Sequence, residues 1–275
     1  MSKIKLIALD LDGTALRSNN TLSPAVAEAI ESASNRGIEV IAASGRPYHS
    51  MPRSFLQLKG VNYVITSNGA AIHDRSGKRI NETLMKESEV QKILELTKSF
   101  DLIWEAFLFG ATYTDNRYLR EPTKYGCTPA YVGYVQNSRG GLDDMRSYIY
   151  ENRQKLDSIE YVCTDERLRE TVRSLLEENL NETYITSSSA NFVELMNKNA
   201  TKSNALKWLC KQLNISSENT AACGNADNDA DMIACAGLRS AVENASESCK
   251  KAADVIIPSN DNDGVAKLIQ MCAGF

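Results

Sequence analysis

Asp10 and Asp12 have the residue type and the spacing that catalysis with a metal or a phosphate requires. They follow an apolar run over residues 3–9, which predicts a buried strand, and Gly13 behind them permits a tight turn. On extended chain, positions two apart point their side chains the same way. Two carboxylates this close repel each other unless a cation lies between them or one carries a proton. Either arrangement suits chemistry, as oxygen ligands for Mg²⁺ or as a protonated acid beside a nucleophile. A strand that ends in an ordinary Asp-Gly turn is the structural alternative.

Three further polar clusters lie at the ends of predicted elements. Ser44 and Gly45 follow the apolar run 38–43 and offer a hydroxyl and an unhindered N–H to an anion, at the predicted start of a helix. Lys202 falls in the first turn of a predicted helix, where the helix dipole disfavours a cation, so a bound phosphate or carboxylate would explain it. Residues 224–229 place amide and carboxylate oxygens behind a strand. Taken singly, each cluster has an ordinary explanation: a cap and turn, a solvated lysine, or an Asn/Asp-rich turn.

Together, the four clusters indicate phosphoryl transfer. They supply an aspartate nucleophile, a second acid, a phosphate cradle and a site for a hard metal, which fits a reaction through an aspartyl-phosphate. The sequence contains neither G-x-x-x-x-G-K-[ST] nor G-x-G-x-x-G, so it gives no support to a nucleotide-binding loop.

The order of predicted elements indicates an α/β protein with an inserted domain. Strands and helices alternate over residues 1–82 and again over 191–275, which predicts a core with a parallel, doubly wound sheet. Residues 83–190 instead mix a helix, aromatic strands and a stretch of weak periodicity, which predicts an α+β domain inserted into the core.

Composition limits the classes of partner. The 275 residues are 43% hydrophobic and 24% charged, which is typical of globular proteins. A net charge of −4 argues against an extended nucleic-acid surface, and no stretch approaches the length of a membrane span. Seven cysteines without a C-x-x-C pair, and no recognisable signal peptide, predict reduced thiols and a cytoplasmic location. Only two histidines occur, which disfavours a His-based zinc site. No obligate protein partner is evident.

At these clusters the chain resembles the haloacid dehalogenase superfamily, specifically the Cof-type phosphatases with a large α/β cap. The motifs that carry the resemblance are, in chain order, Asp10-Leu11-Asp12-Gly13-Thr14, Ser44-Gly45-Arg46, Lys202 and Gly224-Asn225-Ala226-Asp227-Asn228-Asp229. Ser67-Asn68-Gly69-Ala70 is also similar to that subfamily.

The resemblance implies a Rossmann-like core, a mobile cap over the active site, and a Mg²⁺-dependent phosphatase acting on small phosphorylated metabolites, such as sugar phosphates. Asp10 would attack phosphorus, while Asp12 would protonate the leaving oxygen and later activate water. Mg²⁺ would be held by Asp10, the Asp12 carbonyl, Asn225 and Asp229. The implied phosphate ligands are Leu11, Ser44, Gly45, Lys202 and Asn228, and Lys202 is also implied to be catalytic. The implied substrate contacts are Arg46, Asn68 and Gly69. A phosphomutase of the same fold and a catalytically weakened phospho-ligand binding protein are the alternatives.

The chain departs from the family pattern at Asn225, where the family usually has Asp. An amide oxygen can ligate Mg²⁺ but brings no negative charge, so we expect weaker metal binding unless Asp229 or Asp227 takes over. Ser203 stands where Gly is usual, and we expect little effect from it.

Overall fold

A computed structural model describes residues 3–187 and 191–274. Within the described residues, the chain forms two compact units. The first comprises Met1–Arg46, Met51–Asn81 and Thr201–Phe275, and the second comprises Pro47–Ser50 and Glu82–Ala200.

The strands are β1 (Leu6–Leu9), β2 (Glu39–Ala43), β3 (Tyr63–Thr66), β4 (Ala71–Asp74), β5 (Arg79–Glu82), β6 (Ile103–Leu108), β7 (Ala111–Asp115), β8 (Arg139–Leu142), β9 (Ser158–Val162), β10 (Thr183–Thr186), β11 (Phe192–Asn197), β12 (Thr220–Gly224), β13 (Leu238–Val242) and β14 (Val255–Ile257). The α-helices are α1 (Pro24–Asn35), α2 (Arg53–Leu56), α3 (Glu87–Leu96), α4 (Asn116–Arg120), α5 (Val132–Ser138), α6 (Met145–Glu151), α7 (Glu166–Asn179), α8 (Lys202–Gln212), α9 (Ala230–Ala234), α10 (Glu247–Ala252) and α11 (Gly264–Ala273).

The first unit is built on a sheet of order β14-β13-β12-β1-β2-β3-β4-β5. The strands from β14 to β3 are mutually parallel, and β4 joins β3 antiparallel. β1 lies in the middle and is fully buried, as its continuous apolar run predicts. The parallel α/β core is therefore confirmed, and the carboxyl ends of β1, β2 and β12 meet at one edge of the sheet.

Local sequence signals place the first helix correctly. The Ser23 hydroxyl accepts from the Val26 N–H and caps α1, and Pro24 occupies its first position. The prediction that a helix starts after Ser44-Gly45-Arg46, at Pro47, is wrong. A 3₁₀ turn, Tyr48–Ser50, follows Pro47, and α2 begins only at Arg53. Ser44 and Gly45 therefore lie in a loop and not at a helix N-terminus.

The second unit contains a six-stranded sheet of order β10-β11-β9-β6-β7-β8. The helices α3, α6 and α7 cover one face with an apolar core. Residues 139–142 form β8, which pairs parallel with β7.

Three glutamates lie side by side across the centre of this second sheet. Glu105 on β6 is opposite Glu160 on β9, which is opposite Glu194 on β11. All three are buried, and the Arg139 guanidinium contacts the Glu105 carboxylate at 3.1 Å. Burial, followed by repulsion from Glu105 and Glu194, raises the pKa of Glu160 well above its ordinary value.

The boundary predicted between residues 190 and 191 differs from the division into units. Residue 190 itself lies outside the described residues. Residues 191–200 belong to the second unit and not to the core, because β11 pairs with β9 and β10.

All seven cysteines are free thiols. Among the residues that the structure describes, no helix is both long enough and apolar enough to cross a membrane.

Candidate active site

The first acidic motif lies at the carboxyl end of the central strand. The Asp10 N–H donates to the Cys223 carbonyl at 2.9 Å, which extends the pairing of β1 with β12 to the motif. The chain then turns sharply, with Gly13 at φ 74°. A Cβ on Gly13 would also lie 2.7 Å from the Asn225 side-chain amide, so glycine is required there for both its backbone and its size.

A buried lysine joins two aspartates at the centre of the site. Lys202 Nζ lies 2.8 Å from Asp10 Oδ1 and 2.5 Å from Asp229 Oδ1, and all three residues are at most 5% exposed. Burial alone would lower the pKa of Lys202, but these two carboxylates raise it above its ordinary value. They also explain why a lysine occupies the first turn of α8, against the helix dipole.

Asp10 has fewer hydrogen-bond donors than Asp229. Burial, followed by the charge of Asp229, raises the pKa of Asp10 to about 7, although Lys202 acts in the opposite direction. Asp229 has more donors, because its Oδ2 also accepts from the backbone N–H groups of Asn225 and Ala226 at 3.0 Å each. One lysine shared by two carboxylates therefore does not offset the effect of burial on Asp10.

Asp229 and Asp227, the two residues expected to supply the charge that Asn225 lacks in metal binding, both contact other groups of the protein. Both oxygens of Asp229 are used within the protein, so a cation would have to displace Lys202 or two N–H donors before Asp229 could ligate it. Asp227 accepts from the Ser248 hydroxyl, and the hydroxyls of Ser248 and Ser246 lower its pKa.

Asp12 is held by an arginine from the second motif. Arg46 Nε and Nη2 donate to the two oxygens of Asp12 at 2.7 and 2.5 Å, which is a bidentate ion pair. The Asp12 side chain is 46% exposed and Arg46 only 13%, so the carboxylate lies at the surface of the site. The structure thus places Arg46, predicted to contact substrate, on the predicted general acid.

Asn225 faces the first motif directly. One end of its side-chain amide lies 2.9 Å from the Asp12 carbonyl oxygen, 3.0 Å from Asp10 Oδ2 and 2.8 Å from Thr14 Oγ1, so four polar atoms converge at one point. The backbone carbonyl of Asn225 accepts a hydrogen bond from the Ser246 N–H at 2.8 Å. The backbone of Asn225 is therefore fixed, and its amide bridges the loop that carries both aspartates.

The second and fourth motifs meet through Asn68. The Asn68 N–H donates to the Ser44 carbonyl, and its side-chain oxygen accepts from the Asn228 amide at 2.9 Å. The same oxygen would lie 3.1 Å from a Cβ on Gly45. Asn228 Oδ1 and Ser67 Oγ are buried without a partner among the described residues, so this corner presents unsatisfied groups to a ligand or water.

The backbone at Asn68 is strained to achieve this arrangement. Ser67, Asn68 and Gly69 have φ values of 48°, 55° and 101°, in the left-handed region that favours glycine. A Cβ on Gly69 would lie 2.3 Å from the Thr201 carbonyl oxygen, immediately before Lys202. Gly69, predicted to contact substrate, is thus seen packing against the start of α8.

The predicted site residues therefore converge on one edge of the first sheet. Leu11 is also there, fully buried, and its carbonyl accepts from the N–H groups of Thr14 and Leu16.

Two asparagines that sequence reasoning did not assign to the site support the loop after β1. The Asn244 amide donates to the Gly13 carbonyl at 2.8 Å, and the Asn260 amide donates to the Leu16 carbonyl at 3.0 Å. Asn244 precedes α10 but does not cap it, because Ser246 is the cap of that helix. Thr14 belonged to the first motif without a role, and it contacts Asn225. No local sequence signal distinguishes such long-range contacts from ordinary turn residues.

Known proteins share both the sequence and the fold. Phosphatase YwpJ from Bacillus subtilis is 32% identical over 97% of this chain and 99% of its own. The 5-amino-6-(5-phospho-D-ribitylamino)uracil phosphatase YcsE from the same organism is 28% identical over 97% of this chain and 95% of its own. The solved structure of a haloacid dehalogenase-like hydrolase from B. subtilis superposes with a TM-score of 0.85, at 30% identity, over 97% of this chain and 99% of that one.

The profile of one family matches nearly the whole chain, over residues 7–269. The match includes all four motifs, which the structure brings together around Asp10, and the resemblance drawn from them is confirmed. The chain belongs to the haloacid dehalogenase-like hydrolase family.

Proposed function

We propose that this protein is a phosphatase that hydrolyses small phosphorylated metabolites through an aspartyl-phosphate on Asp10, with Mg²⁺ as its cofactor. The observation that carries the proposal is the position of Asp10. It lies at the end of the central strand, is held by a buried lysine, and has a second, partly exposed carboxylate two residues away. This arrangement supplies a buried nucleophile and a partly exposed acid on one loop.

In the first half of the reaction, an Asp10 oxygen attacks phosphorus, and the bond from phosphorus to the substrate oxygen breaks. The leaving oxygen takes a proton from Asp12. The ammonium of Lys202, 2.8 Å from Asp10 Oδ1, offsets the negative charge gathered at the acceptor. Asp12 pairs with Arg46 in the free protein, so this ion pair must open for Asp12 to carry a proton and for Arg46 to contact substrate.

In the second half, water attacks the phosphorus of the aspartyl-phosphate and gives a proton to Asp12. The bond between phosphorus and the Asp10 oxygen breaks, which releases inorganic phosphate and restores the carboxylate. Asp12 therefore serves as acid and then as base.

Mg²⁺ is the cofactor that the family implies, and the oxygen donors of this site fit a hard cation. Asp10 Oδ2 and the Asp12 carbonyl oxygen lie 3.0 and 2.9 Å from the same end of the Asn225 amide, which supports a shared position for a cation there. Asn225 could add its amide oxygen. A bound Mg²⁺ would neutralise charge on the phosphoryl oxygens.

The class of substrate is suggested by relatives. YcsE is named for a substrate in which a phosphorylated ribityl chain is attached to an aminouracil, so its phosphate is an ester of a polyol chain. The unpaired Asn228 Oδ1 and Ser67 Oγ could accept hydrogen bonds from hydroxyl groups of such a molecule. We therefore favour phosphate esters of sugars and polyols.

A panel of phosphate monoesters tests the proposal. Sugar, polyol and aryl phosphates are incubated with the protein and Mg²⁺, and released phosphate is measured beside Asp10→Asn as control. We expect turnover by the natural protein only, with phosphorylated protein visible in acid-quenched samples by mass spectrometry. Binding of phosphate esters without release, at any Mg²⁺ concentration, would favour a phospho-ligand binding protein. Transfer of phosphate to added sugars in preference to water would favour a phosphomutase.

A further inference from the structure

A short segment, residues 259–263, holds the chain that follows Asp12. The Asn260 side-chain amide donates to the Leu16 carbonyl at 3.0 Å, and Asn260 is only 5% exposed. A hydrogen bond shielded from water in this way is electrostatically stronger than one at the surface. Asn260 therefore fixes the position of the backbone four residues after Asp12.

Asn244 extends this contact to the residue directly after Asp12. Its side-chain oxygen accepts from the Asn260 N–H at 3.1 Å, and its amide nitrogen donates to the Gly13 carbonyl at 2.8 Å. A backbone N–H only donates and a backbone carbonyl only accepts, so the partners assign the role of each end of this amide. One side chain thus joins Asn260 to Gly13.

Two aspartates of the same segment hold the turn that comes next, residues 17–21. Asp261 accepts from the N–H and the hydroxyl of Ser18, at 2.9 and 2.7 Å. Asp263 accepts from the Arg17 guanidinium at 3.1 and 3.2 Å. The segment therefore contacts the chain behind Asp12 along its whole course and not at a single point.

The backbone is strained where the segment ends. Asp263 has a φ of 55°, in the left-handed region that few residues other than glycine adopt. Gly264 follows it, and a Cβ there would lie 1.8 Å from the Pro258 carbonyl oxygen. Strained backbone persists where the surrounding structure holds it, and it gathers near functional sites. This strain therefore points to a role for the loop that the segment contacts.

The direction of the Asp12 side chain depends on its backbone. The Asp12 carboxylate is 46% exposed and pairs with Arg46, and this pair must open in the proposed reaction. Once the pair has opened, the backbone on either side of Asp12 sets the place of the carboxylate. Before Asp12 that backbone belongs to the central sheet, and after it Asn244 and Asn260 hold the chain.

We propose that Asn260 and Asn244 are positioning residues for Asp12. By holding the carbonyls of the loop behind it, they align the acid with the leaving oxygen, and they act through the backbone without touching substrate. This inference rests on the proposed function for the role of Asp12, and it deepens that function by naming the residues that align its acid.

Asn260→Ala and Asn244→Ala test the proposal through the leaving group. Each should lower kcat/KM about ten-fold for alkyl phosphates and only about two- to three-fold for aryl phosphates, because alkyl leaving groups need the acid more. Asn219→Ala is the matched control, since the Asn219 amide also donates to a backbone carbonyl at 2.8 Å, that of Lys3 before β1. The control should leave the ratio of the two kcat/KM values unchanged.

A double variant separates positioning from general destabilisation. In a protein that already carries Asp12→Asn, Asn260→Ala should cause no further loss of kcat/KM for alkyl phosphates, because the group through which it acts is gone. The same loss with and without Asp12→Asn would overturn the inference. So would equal losses for alkyl and aryl phosphates in both single variants.

Hydrogen exchange measured by mass spectrometry reports on the loop without substrate. The peptide that contains residues 11–18 should exchange about ten-fold faster in Asn260→Ala than in the natural protein, and at the natural rate in the Asn219→Ala control. Natural exchange rates in Asn260→Ala would overturn the inference even if turnover fell. If Asn260→Ala does not fold, Asn244→Ala decides by the same measurements, since Asn244 is exposed. If the natural protein released no phosphate from any ester, the proposed function would fail, whereas the exchange rates would still support or overturn the hold on the loop.

Discussion

Lys202 offers the most direct test of how the site is held together. It is buried between Asp10 and Asp229, at 2.8 and 2.5 Å. Each contact is worth about 6 kcal/mol of Coulomb attraction at an effective dielectric of 20, before desolvation is subtracted. Removing one partner of a buried ion pair costs about 3–5 kcal/mol, because the other charge stays buried. Lys202→Met should therefore lower the melting temperature by roughly 10 °C at pH 8.

The loss of stability caused by Lys202→Met should depend on pH. The pKa of Asp10 is raised to about 7, from an unfolded value of 3.8, so the stability that its protonation supplies is full below pH 3.8 and lost as pH rises through 7. Without Lys202, the ionised form of Asp10 is less favourable still. We therefore expect Lys202→Met to be most destabilising at pH 8 and less so at pH 5.

A second substitution should restore the fold but not the activity. Lys202→Met combined with Asp229→Asn removes one of the two orphaned carboxylates, and we expect the double variant to recover at least half of the lost melting temperature. Turnover should remain absent, since Asp10 still lacks its lysine. Melting curves at pH 5 and pH 8 are the measurement, and Lys207→Met, an exposed position on the same helix, is the control. A single variant as stable as the control at pH 8, or a double variant no better than the single, would refute the reasoning.

Two further substitutions test the acidic motif of the site, and a third tests the second sheet. Asp10→Asn should abolish phosphate release and raise the melting temperature at pH 8 more than at pH 5, because it removes a buried charge; normal turnover would exclude the aspartyl-phosphate. Asp12→Asn should slow alkyl phosphates more than aryl phosphates in steady-state assays, since alkyl leaving groups need the acid more; equal losses would contradict that role. Glu160→Gln should raise the melting temperature at pH 8 and leave it unchanged below pH 4.5. The raised pKa of Glu160 means that the stability from its protonated form is full below its ordinary pKa of 4.5 and lost as pH rises. No gain at pH 8 would show that this carboxylate is not repelled by its neighbours.

Much of the core was predictable because its signals are local. Continuous apolar runs indicated the buried parallel strands, and the carboxyl ends of such strands gather their polar residues at one edge. The position of Lys202 on its helix also predicted an anion beside it, and the structure supplies Asp10 and Asp229.

The remainder depends on contacts between distant parts of the chain. Asn225 contacts Thr14, which is more than 200 positions away, and Asn244 donates to the Gly13 carbonyl instead of capping the helix that it precedes. The helix expected at Pro47 rested on a signal that is real but weak, since proline suits turns as well as first helical turns. Residues 139–142 form a strand because they pair with the edge of β7, and no local sequence pattern reveals that pairing.

The close approach at Gly69 has a consequence for anyone who engineers this protein. Exchanging glycine for alanine often stabilises a protein by roughly 0.4–1 kcal/mol, since it restricts the unfolded chain. At Gly69 the same exchange would force a methyl group to within 2.3 Å of the Thr201 carbonyl and displace the helix that begins with Lys202. Gly133 is the opposite case, because it lies in α5, and an added methyl group there meets nothing within 4 Å. Engineering for thermostability can therefore begin with Gly133. Gly69 should be left unchanged, because a substitution there would disturb the helix that carries Lys202.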